Sequence, residues 1–338
     1  MPAVAYIYVL CVMSQFFRKH LQKRLILNVS ALSVRKDFFM KRRKFIKNTG
    51  TIVLGIGVFG NIVRSKEVFI GDTTTTTDIL GPFYRPGAPI RQNLNPKDFK
   101  GEVLHLAGTI YKEDGKTPMS GCSIEIWQCQ EDGLYDNISD EYLYRATQKV
   151  KNNGKYHFIT TKPVAYPVEE GSTIFRPAHI HMRLSAAGQQ DLITQVYFTG
   201  DQYLEGDPST KSPLAINRIL SIRKLSHKES EITFNIVLKK EYVPDDAVFR
   251  KVSGVYKMNN NSMMEFYRDS DLLFYKTNNQ IWGGLSYAGN NTFVGGVNDT
   301  EAKFELLPQG KAKVQFKFIR RKKTELEGTK VLMYKNRE

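Results

Sequence analysis

The sequence predicts an all-β protein: an antiparallel β-sandwich catalytic domain followed by a small, separate C-terminal antiparallel β domain. Three observations carry that reading. Short runs rich in β-branched and aromatic residues recur through the middle of the chain, and Asp114-Gly115, Asp132-Gly133 and Asn153-Gly154 punctuate them as turns. Near the C-terminus, Ala312, Val314, Phe316 and Phe318 share one face of an extended segment while Lys311, Lys313, Gln315 and Lys317 share the other. Such two-residue alternation is the mark of a half-buried strand.

In chain order, 103–111, 122–130, 155–160, 179–184, 193–198 and 231–239 read as strands of the sandwich. Residues 208–223 are the one helical or irregular excursion. A linker around Tyr242-Val243-Pro244-Asp245-Asp246 introduces the second β unit, where Gly283-Gly284, Gly289-Asn290-Asn291 and Gly295-Gly296 are expected to mark hairpins. The resulting division is a leader (1–66), a catalytic unit (67–244) and a C-terminal unit of unassigned role (245–338).

Charge supports this division. The 338 residues carry 49 Lys and Arg against 34 Asp and Glu, a net charge of +15. Residues 1–66 hold 13 basic residues and a single acid, Asp37; residues 245–338 hold 16 and 11, which leaves the middle at −2. A near-neutral middle excludes a phosphate-binding surface and hence nucleic acid as a partner. With 41% apolar and 12% aromatic residues, the chain as a whole is not disordered.

The basic leader reads as an address. Arg42-Arg43-Lys44-Phe45-Ile46-Lys47 precedes an uncharged stretch, 52–63, and together they resemble a twin-arginine export signal. That stretch is short of the ~20 residues a membrane span needs. Export to the periplasm or the medium is expected, with translation starting at Met40. No Ala-x-Ala cleavage site follows, so an uncleaved membrane tether stays open. Gly55-Ile56-Gly57-Val58-Phe59-Gly60 satisfies the G-x-G-x-x-G dinucleotide fingerprint, but the helix it requires is interrupted by 64–67 and by the Thr73–Thr77 run. No nucleotide site is expected there.

Of three cysteines, Cys11 lies in the leader. Cys122 and Cys129 fall on one predicted strand, about 23 Å apart and on opposite faces, so they cannot bridge each other. Buried free thiols are expected.

The chemistry concentrates in four residues. His179 and His181 stand at i and i+2 of a strand and point to one face. Tyr135 and Tyr166 sit in loops nearby in sequence. Two phenolates and two neutral imidazoles suit hard, oxidised iron without soft thiolates. His20, His105, His157 and His227 read as structural.

The segments Leu80-Gly81-Pro82-Phe83-Tyr84, 121–127, Asp132-Gly133-Leu134-Tyr135, Lys162-Pro163-Val164-Ala165-Tyr166-Pro167, Arg176-Pro177-Ala178-His179-Ile180-His181 and 192–198 resemble the intradiol ring-cleavage dioxygenases, the group of protocatechuate and catechol dioxygenases. The resemblance covers about 78–240. It implies a non-haem Fe(III) cofactor held by Tyr135, Tyr166, His179 and His181, with Tyr135 and His179 equatorial and Tyr166 and His181 axial. It also implies that a catechol-type aromatic and O2 are the substrates and that a cis,cis-muconate is the product. Tyr166 would leave the metal and help take up the phenolic protons, Arg176 would stabilise developing negative charge, and Gln195 would stand beside the substrate. Val168 departs from the pattern, replacing a tryptophan of the protocatechuate enzymes. Tyr84, Arg85 and Arg91, in the loop expected to border the pocket, are candidates to meet a substrate carboxylate. A homo-oligomer and a ligand of the C-terminal unit stay open. The rival reading is a non-catalytic β-sandwich that serves as a ligand-binding or carrier module.

Overall fold

Two five-stranded sheets form the central sandwich, with an aliphatic core between them. The computed structural model describes residues 74–211, 213–240, 244–319 and 324–333, and the backbone of three short strands, Leu54–Gly55, Asn61–Ser65 and Val68–Ile70. The Arg42-Arg43 signal and Met40 lie outside the described residues, as does the glycine fingerprint beyond Gly55. Among the described residues, no helix is long and apolar enough to cross a membrane.

The strands of the sandwich are β1 (Val103–Tyr111), β2 (Cys122–Trp127), β3 (Arg145–Val150), β4 (Lys155–Thr160), the two-residue pair β5 (Tyr166–Pro167) and β6 (Phe175–Arg176), β7 (His179–Ser185), β8 (Leu192–Phe198), β9 (Ile219–Leu220), β10 (Arg223–Lys224), β11 (Glu229–Thr233) and β12 (Ile236–Val237). One sheet runs β9-β8-β7-β2-β3. In the other, β1 pairs with β4 on one side and with β11 and then β12 on the other.

Pleat alternation explains which residues face the core. On β7, Ile180, Met182 and Leu184 enter the aliphatic core, so His179, His181 and Arg183 project from the opposite face. Register then sets their neighbours: His181 pairs with Gln195 on one side and Trp127 on the other, His179 with Tyr197, and Arg183 with Ile193 and Glu125. The functional face is therefore the outer face of this sheet. A second, smaller apolar cluster containing Leu80, Tyr84, Trp127, Tyr135 and Tyr166 covers it.

The C-terminal unit is a closed eight-stranded antiparallel barrel. Helix α1 (Asp246–Val252), capped by the Asp245 carboxylate accepting from Val248 N at 3.1 Å, leads into it. Its strands are β13 (Gly254–Met258), β14 (Met263–Asp269), β15 (Leu272–Thr277), β16 (Gln280–Gly289), β17 (Thr292–Gly295), β18 (Thr300–Leu306), β19 (Ala312–Phe318) and β20 (Thr324–Leu332). The interior is packed by Tyr256, Phe266, Tyr275, Phe293, Phe304 and Phe316, so an eight-stranded barrel of this kind is a core and not a pore. On β19 the predicted alternation holds: Ala312, Val314 and Phe316 are buried between exposed Lys313 and Gln315.

Several local expectations need correction. The sandwich is mixed, because β8 with β9 and β1 with β11 and β12 pair in parallel. Residues 231–239 form two short strands, broken where the Phe234 carbonyl turns inward to accept from Tyr156 Oη at 2.6 Å. Strand β2 stops at Trp127, so Cys129 lies beyond it; both Cys122 and Cys129 are buried free thiols. Gly283-Gly284 lies inside β16, and the turn before it is made by Asn278-Asn279, both at positive φ. Strand β3 was not predicted, since Arg145-Ala-Thr-Gln-Lys-Val alternates in neither pattern. Residues 208–223 contain a short 3₁₀ segment, Pro213–Arg218, before β9.

The barrel meets the sandwich along the side formed by β14, β15 and β16 and through the turn after β17. Arg183 Nη1 donates to Asp269 Oδ2 at 3.0 Å, Leu272 and Phe274 join the apolar cluster around Trp127, and Gly284 faces Ile193. Gly296 is backed directly onto the Asp78 carbonyl: a Cβ there would stand 1.9 Å from Asp78 O, so only glycine permits the approach.

Candidate metal centre

Four side chains from three elements converge above β7. Tyr135 Oη lies 3.3 Å from Tyr166 Oη and 3.4 Å from His179 Nε2. Tyr166 Oη is 3.3 Å from His179 Nε2, which is 3.1 Å from His181 Nε2. All four residues are buried. Among the described residues, no group of three or more His, Cys, Asp or Glu could hold a metal. A centre here draws half its donors from tyrosine.

Local structure accounts for each position. Tyr135 follows the Asp132-Gly133 turn, in which Gly133 N donates to Gln130 O at 3.1 Å. Beyond it, the Asp136 carboxylate collects the Ser139 and Leu143 N–H groups at 2.9 and 2.8 Å, while Arg145 Nε donates to Asp136 O at 2.9 Å. Tyr166 is fixed by the β5–β6 pair, in which it stands opposite Arg176. Phe83 stacks on Tyr135 with ring centroids 4.4 Å apart, and Trp127 stacks on His181 at 4.9 Å. Gly81 has a φ of +79°, and a Cβ on it would sit 3.1 Å from His181 Cε1, which explains a glycine beneath that ring.

The donor set fits a metal ion on two observations. His179 Nδ1 donates to Pro177 O at 2.6 Å, which fixes the tautomer and leaves the Nε2 lone pair facing the other three donors. Metal–ligand bonds of about 2 Å also place neighbouring donors about 3 to 3.4 Å apart, the spacing found here. Burial pushes His179 down to about 3, helped by the Arg176 charge, and pushes His181 well down as well, so both imidazoles are neutral. Burial raises both tyrosines, with Tyr166 partly offset by Arg176. A buried cation at the centre would invert that tendency.

Behind the tetrad lies a buried polar chain. Arg176 forms an ion pair with Asp207 at 2.7 Å and donates through Nη2 to Gln195 Oε1 and Tyr197 Oη, each at 3.1 Å. Burial weighs against charge on this guanidinium, but Tyr197 and Asp207 hold it firmly protonated. Gln195 Nε2 donates to Ile79 O at 2.6 Å, and Tyr197 Oη is 2.8 Å from Asp78 Oδ2. Asp78 in turn pairs with Arg218.

Sequence reasoning singled out Tyr135, Tyr166, His179, His181, Arg176 and Gln195, and the fold gathers all six. The three candidates for a substrate carboxylate are occupied elsewhere. Tyr84 Oη donates to Glu125 at 2.8 Å and accepts from Arg183 at 2.7 Å; Arg85 donates to Ser139 O at 2.6 Å with its guanidinium 3.8 Å over the Tyr142 ring. Arg91 is spent on the carbonyls of Arg145, Glu141 and Tyr142. Asp207, Tyr197, Trp127 and Arg145 carried no assigned role. For Asp207, in the loop just before the irregular 208–223 stretch, no sequence signal existed; for Trp127, register opposite His181 was the missing information. His105 and His157 touch each other at 3.0 Å on the other sheet, away from the tetrad.

Comparison with known proteins gives the family. A family model described as dioxygenase matches residues 79–240. Chlorocatechol 1,2-dioxygenase of Rhodococcus opacus is 33% identical over 42% of this chain, and the chain spans 64%, less than two thirds, of that enzyme's length. Chlorocatechol 1,2-dioxygenase of Pseudomonas putida is 31% identical over 48% of this chain and 68% of its own. Among solved structures, the dioxygenase domain of a dioxygenase–carbohydrate-binding protein fusion from Streptomyces sp. SirexAA-E is 26% identical over 50% of this chain and 99% of that one, with a TM-score of 0.43. The chain belongs to the intradiol ring-cleavage dioxygenase family.

Proposed function

We propose that the protein is an Fe(III)-dependent intradiol dioxygenase that cleaves a catechol-type aromatic between its two hydroxyl-bearing carbons. One C–C bond breaks, both atoms of O2 enter the product, and a cis,cis-muconate results. The observation that carries the proposal is the convergence of two tyrosine oxygens and two histidine nitrogens beside a buried arginine that is fully ion-paired.

Tyr135, Tyr166, His179 and His181 would hold the iron, which when bound supplies a Lewis acid that takes up a catecholate and opens its ring to attack by O2. The residues do the rest. Pro177 O and the Trp127 ring orient the two imidazoles. Tyr166 Oη is suited to accept a phenolic proton, because burial raises its proton affinity and Arg176 beside it offsets that rise only in part. Arg176, immobilised by Asp207, Gln195 and Tyr197, offers a preorganised cation to charge developing on the substrate. The apolar cluster around Phe83 and Trp127 excludes water from these steps.

The purified, iron-loaded protein should be coloured, because tyrosinate bound to Fe(III) absorbs strongly in the visible. Tyr135→Phe should lose most of that band and all O2-dependent turnover of catechol. A colourless protein with stoichiometric iron would refute the two-tyrosine centre. Export by a twin-arginine route belongs to the same reading, supported by Arg42-Arg43 ahead of an uncharged stretch.

A further inference from the structure

We infer that the C-terminal barrel braces the metal centre, holding His181 in position through a chain of packed rings that runs Phe274, Tyr84, Trp127, His181. The inference rests on the Fe(III) reading proposed above and gives the barrel a part in it, with Phe274, Asp269 and Tyr84 as positioning residues.

His181 has little of its own to orient it. Its Nε2 is turned to the other donors of the tetrad, and among the described residues its Nδ1 has no hydrogen-bond partner. Nor has Nε1 of Trp127, the indole stacked on it. The orientation of two successive rings is therefore set by packing, and a close-packed interior passes a displacement of one ring on to the next. The next ring is Tyr84, with its centroid 5.0 Å from that of Trp127. Here the chain meets its first polar anchor: Tyr84 Oη donates to Glu125 Oε2 at 2.8 Å and accepts from Arg183 Nη1 at 2.7 Å.

The barrel holds Tyr84 in two ways. Phe274 of β15 packs against its ring, centroids 5.8 Å apart, and Leu272 joins the same apolar cluster. Asp269 of β14 holds Arg183, which stands two residues beyond His181 on β7. Asp269 Oδ2 accepts from Nη1 at 3.0 Å and its main-chain oxygen accepts from Nη2 at 3.3 Å, while Asp191 takes Nη2 from the sandwich side at 2.9 Å. One guanidinium nitrogen thus serves both the Tyr84 hydroxyl and the barrel, through hydrogen bonds strengthened by charge. The guanidinium also lies 5.0 Å from the centre of the Phe274 ring.

The same side of the barrel reaches the loop 80–84. Gln280 Nε2, at the start of β16, donates to Pro82 O at 3.1 Å, and Ile281 packs against the cluster that contains Tyr135 and Tyr166. Pro82 stands between Gly81, which lies against His181, and Phe83, which stacks on Tyr135.

Full-length protein loaded with Fe(III) tests the brace when a competing chelator measures iron retention, electron paramagnetic resonance reads the metal's surroundings and denaturant unfolding measures stability. Phe274→Leu and Tyr84→Phe should each weaken iron retention about tenfold, the lower end of the effect of losing a group that orients a ligand, and change the Fe(III) resonance. Asp269→Ala, at a partly exposed position that spares folding, should weaken retention about threefold. Phe316→Leu is the control: equally buried, but in the interior cluster of the barrel, it should lower stability about as much as Phe274→Leu while leaving iron affinity and resonance as in wild type. Wild-type affinity and resonance in any one of Phe274→Leu, Tyr84→Phe and Asp269→Ala overturns the brace, as does an equal loss of iron from Phe316→Leu and Phe274→Leu. Wild-type protein that retains no iron overturns the Fe(III) reading and the brace together. If the variants loosen iron as expected but no catechol is cleaved in O2, the dioxygenase reading fails and the brace stands.

Discussion

The indole of Trp127 lies flat against the imidazole of His181, with ring centroids 4.9 Å apart and planes within 7°. The contact follows from register, since the two residues are direct partners across β2 and β7. His181 needs it, because its Nδ1 is buried without a hydrogen-bond partner, whereas His179 is oriented through Pro177 O.

Replacing the indole should therefore loosen the metal more than the fold. Trp127→Leu is expected to weaken iron retention about 10- to 100-fold, the usual effect of losing a group that orients a ligand. The accompanying stability loss should be about 2 to 4 kcal/mol for a large-to-small core change. Chelator competition measures the first and denaturant unfolding the second. Iron affinity equal to wild type would show that stacking does not orient His181.

Arg145 supports the loop that carries Tyr135. It is fully buried, donates to Asp136 O at 2.9 Å and to Asn137 Oδ1 at 3.0 Å, and burial pushes its guanidinium down to about 10, still charged at neutral pH. Arg145→Leu should cost about 2 to 3 kcal/mol, because the loop acceptors lose charged donors. The position of the tyrosinate band should shift as Tyr135 relaxes. A destabilised variant with an unmoved band would limit Arg145 to packing.

For the leader, Arg42-Arg43→Lys-Lys should abolish export of the full-length protein, measured as the fraction recovered outside the cytoplasm. Secretion unaffected by the change would assign the address to another segment.

Much of this was legible in the sequence, and the gaps have physical reasons. The β class and the alternation of β19 could be read because side-chain period is local. The tetrad could be named because its residue types are chemically distinctive, with resemblance supplying the order. What escaped was long-range. Asp207 reaches Arg176 only through the folding of the loop after β8, and β3 forms because β2 offers it a partner. Tyr84, Arg85 and Arg91 looked like free cations and hydroxyls in a loop, yet the fold spends them on Glu125, Ser139 and a set of carbonyls. The barrel's closure could not be read from any single strand.

That closure has a consequence for how the molecule can change over evolutionary time. In the closed barrel Phe318 pairs with Thr300 on one side and with Thr324 on the other, so this end of the barrel is held by the ladder and not by any one side chain. The chemistry sits on a different sheet. Single exchanges of side chains at this end of the barrel therefore leave its closure intact, as a hoop keeps its shape when one stave is replaced.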